Sequence, residues 1–82
     1  LARGQTYEFD NQSGGNHPFR IQTSSGASGY NSGNQYTTGI TNPGASTGVI
    51  KFAVPFSAPN TLYYVCENHS NMNGTIVIYP SI

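Results

Sequence analysis

Cys66, His69 and Met72 follow one another at intervals of three in a single short segment, Cys-Glu-Asn-His-Ser-Asn-Met. They offer a thiolate, an imidazole and a thioether, and His17 offers a second imidazole. Two imidazoles and a thiolate near one plane, with a weak thioether on the axis, are the ligand set of a blue-copper centre. The chain has one Cys, one Met and two His, so a single copper site uses all four. Each residue alone is ordinary: a lone Cys is usually a small buried hydrophobe, and a lone Met fills core gaps. Together they fall into one strand-loop-strand pattern plus one strand start, which chance explains poorly. Copper is the expected ion. Zinc is the main metal alternative because thiolate and imidazole suit it, although it seldom takes a thioether. Four protein ligands leave no open position for a substrate. No Ser/His/Asp set or carboxylate pair is visible, so the expectation is a protein without enzymatic activity.

The elements that must position these ligands read as strands. Alternation with a period of two, bounded by turn residues, marks Thr6 to Phe9, His17 to Gln22, Val49 to Val54, Thr61 to Cys66 and Thr75 to Tyr79. Tyr7 and Phe9 share one face, as do Phe19 and Ile21, and Ile50, Phe52 and Val54; Arg20 and Lys51 point outward. A Gly-rich loop from Asn11 to Asn16 precedes His17. Residues 23 to 48 form a long Ser/Gly/Asn/Thr excursion, with a short edge strand expected near Gln35 to Gly39. Loops of this length are usually functional or packed on the surface. Leu62, Tyr64 and Cys66 share a face, so a core-facing Leu62 turns Cys66 inward at the end of the core. No segment has helical periodicity with caps. Short strands joined by Gly/Pro turns indicate an all-β sandwich or barrel.

A chain of 82 residues makes one small domain, 1–82, of marginal stability unaided. Three basic and three acidic residues cancel, so there is no basic footprint for nucleic acid. No apolar run reaches membrane-spanning length. One cysteine excludes an internal disulfide. Four Phe, six Tyr and the apolar runs exclude a disordered segment. Ser, Thr, Asn, Gln and Gly replace charges, which suits an extracytoplasmic module: periplasmic, secreted or on a virion surface. Asn11-Gln-Ser, Asn68-His-Ser and Asn73-Gly-Thr match the glycosylation pattern, as chance matches do in a chain of this composition. The first residue is Leu, so a mature, excised or truncated chain is expected.

Two segments, Tyr-Tyr-Val-Cys-Glu-Asn-His-Ser-Asn-Met-Asn-Gly-Thr-Ile-Val-Ile and His-Pro-Phe-Arg-Ile, resemble the cupredoxins, the small type 1 blue-copper proteins. The short Cys-x-x-His-x-x-Met loop is most similar to the amicyanin form. The resemblance covers most of the chain from Gln5 onward. It implies a Greek-key β-sandwich holding one copper ion through His17, Cys66, His69 and an axial Met72. It also implies one-electron transfer, with His69 as the exposed edge where electrons pass to or from a redox partner protein.

Three departures accompany the resemblance. The family has one or two strands before the segment that Gln5 to Asp10 resembles, so a longer chain, flanking domains or another chain is expected to supply them. Pro18 replaces an Asn whose N–H bonds to the cysteine sulfur in relatives, and proline has no N–H. Asn68 keeps one, so a single backbone bond to sulfur is expected, with a lower potential than two would give. Asn68, Ser70 and Asn71 make the surroundings of His69 polar, and Val65 stands where some relatives have an outward Tyr. A second reading stays open: a structural or interaction module of a larger extracellular or virion assembly. Its metal would be a staple, stabilising the fold by mass action, or its site would be empty.

Overall fold

The structure is a computed structural model, and it describes residues 1–80. Six strands follow in order: β1 (Thr6–Gln12), β2 (Phe19–Gln22), β3 (Ile40–Thr41), β4 (Thr47–Ala53), β5 (Thr61–Cys66) and β6 (His69–Val77). They form two antiparallel three-stranded sheets, ordered β1-β4-β3 and β2-β5-β6. Two short 3-10 turns, Gly26–Ser28 and Ser32–Asn34, lie in the long excursion. The architecture is a compact, sandwich-like all-β domain.

The core lies between the sheets. Ile21, Phe52, Val54, Leu62, Ile76 and Ile78 form one buried cluster. Ile21, Phe52, Leu62 and Ile76 come from strands of both sheets, and Val54 and Ile78 directly follow β4 and β6, continuing the alternation. Phe52 and Leu62 are fully buried. Each such side chain contributes about 1.5–3 kcal/mol relative to leaving it exposed.

Several boundaries differ from the sequence pattern, each for a physical reason. β1 runs on to Gln12 because Asn11 and Gln12 pair with Gly48 and Thr47 of β4. β2 starts at Phe19, after His17 and the N–H-less Pro18. The edge rung is Ile40–Thr41, paired with Phe52 and Lys51, and not Gln35 to Gly39. Gln35 instead forms an isolated bridge to Gln22. β6 begins at His69, so the second half of the ligand loop is itself extended chain.

The long excursion covers the outer face of the second sheet. Gln22 is fully buried there. Its amide donates to Ser24 O (3.0 Å) and Ser25 O (3.3 Å), and its Oε1 accepts from Asn31 N (3.3 Å). Val65, outward by strand parity, is also fully buried. Gly26 packs on it so tightly that a Cβ at position 26 would sit 2.6 Å from Val65 Cβ and 3.1 Å from Asn73 Cβ. Glycine is what permits that approach.

Candidate metal centre

Cys66 is the last residue of β5, and its strand parity turns it inward. It pairs in register with Phe19 of β2, whose ring faces the space between the sheets. The thiol is buried, at 6% exposure. Glu67 and Asn68 then make a tight turn, and His69 pairs directly with Cys66 across it. The preceding rung pairs Val65 with Asn73. Ser70, Asn71 and Met72 are therefore extra residues on β6, bulged out of the ladder. Bulges of this kind bend a strand and re-aim its side chains.

Three ligand atoms meet at this hairpin end. Cys66 Sγ lies 3.4 Å from His69 Nδ1 and 3.5 Å from His17 Nδ1. The ligand atoms of the three residues all lie within 4.8 Å of one another. The two imidazole rings are 4.8 Å apart between centroids and tilted by 49°. Metal bonds of about 2.0–2.1 Å to nitrogen and about 2.3 Å to sulfur place neighbouring atoms of a trigonal plane roughly 3.5–3.8 Å apart. The sulfur–nitrogen separations fall somewhat short of the upper, sulfur–nitrogen end of that span, near enough for the residues to close on one small soft ion with a small adjustment. Cys66 is buried, His17 half-buried and His69 exposed.

His17 is held by its backbone. Asn11 Nδ2 donates to His17 O (2.8 Å) and to Ala45 O (3.0 Å). Ser13 Oγ accepts from His17 N (3.2 Å) and donates to Ser46 O (2.8 Å). Ser13 N donates to Asn11 Oδ1 (3.1 Å), closing an Asx turn. Asn68 Nδ2 donates to Asn16 O (3.2 Å), and Glu67 N donates to Pro18 O (3.0 Å). These last two bonds tie the Cys66–His69 turn to the His17 loop. Among the described residues, the hydrogen-bonding partners of Sγ are the two imidazoles, and the expected bond from Asn68 N–H is not one of them.

Met72 lines the same cleft as His17 and Cys66, and it is 43% exposed. The cleft continues over stacked aromatic rings. Phe9 and Phe19 lie 5.0 Å apart and Phe19 and Tyr64 5.9 Å apart, both pairs nearly parallel. These rings form the apolar floor of the open cleft beside the thiol, and Tyr64 is itself exposed.

Sequence pattern thus brings His17, Cys66 and His69 together and sets Met72 beside them. It misses Asn11 and Ser13 as supports, and it gives Asn68 a backbone bond to sulfur where the structure shows a side-chain bond to Asn16 O. The available signal was their own hydrogen-bonding chemistry next to Gly14-Gly15 and the ligand turn. Asn11, Asn68 and Asn73 each donate their side-chain amide to a backbone carbonyl, which accounts for the asparagines of all three glycosylation-pattern matches. No family model, curated protein or solved structure matches this chain.

Proposed function

We propose that this domain binds one copper ion in a type 1 site and passes single electrons through it, as a cupredoxin-like Greek-key sandwich. The observation that carries the reading is the Cys66–His17–His69 cluster, with Met72 lining the same cleft. Thiolate, two imidazoles and a thioether select copper among the common ions. When bound, copper supplies the one-electron chemistry, cycling between Cu(I) and Cu(II).

The chain's own residues do the rest. Cys66 is buried at the end of the core, beside the aromatic rings that line the cleft. The Asn11–Ser13 turn and the Asn68–Asn16 bond hold His17 and the ligand turn at fixed spacing. A fixed spacing limits the movement a change of charge demands. Exposed His69 gives a partner protein a short path to the site. Low overall charge makes steering of that partner weak.

A second reading, a structural module of a larger extracytoplasmic assembly with the metal as a staple, is favoured by one observation. β1 pairs only with β4 and leaves its other edge free among the described residues. A free edge is a template for another strand.

Titrating Cu(II) into the purified apo-protein tests the first step. An intense visible thiolate-to-copper absorption, lost in Cys66→Ser, is the expected result; a colourless one-to-one complex with intact Cys66 rejects type 1 copper. Reversible voltammetry with fast exchange to a redox protein then favours the carrier. A large thermal stabilisation with sluggish redox favours the staple.

A further inference from the structure

On the outer face of the second sheet, Arg20 of β2 pairs in register with Val65 of β5. Its Nε donates to Glu67 Oε1 at 2.7 Å. Glu67 directly follows Cys66 and is the one charged residue within the ligand loop. Two other segments hold the guanidinium in place. The Tyr30 ring lies beneath it, 5.0 Å from Cζ to the ring centroid. Gly44, at φ +83°, passes so close that a Cβ there would collide with the guanidinium. Gly44 N in turn donates to Phe19 O at 2.9 Å. The two charged side chains are 22% and 35% exposed, so water and salt screen them less than an open surface pair. Among the described residues, the other ion pair, Lys51–Glu8, spans 3.8 Å on the opposite sheet and is far more exposed.

We propose that Arg20 and Glu67 are a charge-balanced positioning pair that sets the potential of the site, an inference that rests on the copper reading above. The carboxylate of Glu67 is one residue from the thiolate ligand. Alone, it would favour the more positive, oxidised ion. Arg20 cancels that bias and pins the turn between Cys66 and His69. The tyrosine face and the glycine approach exist to hold the guanidinium, since arginine stacks on aromatic rings while pairing with a carboxylate. Removing either charge exposes the other, so the two single variants must act in opposite directions.

The test uses copper-loaded wild type, Arg20→Gln, Glu67→Gln, the double variant and Arg20→Lys. Reduction potentials are read by voltammetry, with the visible band confirming loading. The potential should fall in Arg20→Gln and rise in Glu67→Gln. It should return close to wild type in the double variant and lie between wild type and Arg20→Gln in Arg20→Lys. Shifts of one sign in both single variants, or none in either with the band intact, overturn the proposal, because loosened packing alone has no reason to change sign. Glu67→Gln keeps the shape of the side chain and so guards against loss of folding. A denaturant double-mutant cycle on the apo-proteins provides the second arm. Coupled, non-additive effects support the pair, and additive effects overturn it, whatever metal binds. A wild type without the band rejects the copper reading itself, while the cycle still decides the pair.

Discussion

Cys66 and His69 are register partners: the two ligands face each other across a turn of two residues, while the adjacent rung skips from Val65 to Asn73. The ligand rung therefore lies between a two-residue turn and a bulge. The turn and the rung together fix the separation of sulfur and imidazole. The bulge frees Met72 to turn toward the cleft that His17 and Cys66 line.

Copper should stabilise this domain strongly. A ligand that binds only the folded state adds about 2.7 kcal/mol at a free concentration a hundred times its dissociation constant. In a domain of this size that raises Tm by about 10–20 °C. Differential scanning calorimetry with and without copper checks this. The gain should shrink sharply in His17→Ala, which leaves only the three ligands of the Cys66–Met72 segment.

Met72→Leu should keep copper and colour but raise the reduction potential. Leucine fills a similar volume and removes the weak axial donor, and axial ligation tunes such sites. Voltammetry checks the direction. A lost band would show that Met72 is needed for binding itself.

Asn11→Ala should cost about 1–3 kcal/mol of stability, because two part-buried carbonyls lose their donor. Copper affinity should fall with it, since His17 loses a support. Urea denaturation and a competitive copper titration measure the two effects separately.

Gly26→Ala should destabilise the domain by about 1–3 kcal/mol, as overpacking does. The new methyl has no room above Val65. Because Val65 neighbours Cys66, the visible spectrum of the copper form should also shift. Unchanged melting and an unchanged spectrum would mean that the excursion rests on the sheet only loosely.

The cluster of candidate ligands was legible because their chemistry is rare in this chain and three of them are local in sequence. The parity of Leu62, Tyr64 and Cys66 located the thiol correctly, since alternation along a strand is strict. What alternation could not show was the second covering of the sheet. Val65 reads as outward, and it is outward from the core, yet the excursion buries it. Nothing local announces that contact, because Gly26 and Val65 meet only after the chain has doubled back. The Asn11 amide is equally illegible. One of its acceptors, Ala45 O, is 34 residues away. The start of β6 departs from the sequence pattern for a different reason. His-Ser-Asn-Met-Asn has no apolar alternation, and its pairing is set by the turn after Cys66.

The span from His17 to Cys66, 49 residues, makes the centre a clock on folding. Cys66 and His69 are neighbours even in an unfolded chain, so a metal can meet them at any time. His17 arrives only when a long loop has closed, which is the slow and entropically costly part of building a β-rich domain. Colour in a refolding experiment would therefore mark the last stage of assembly rather than the first. A chain stalled halfway would hold metal through the local ligands alone, without showing the finished spectrum.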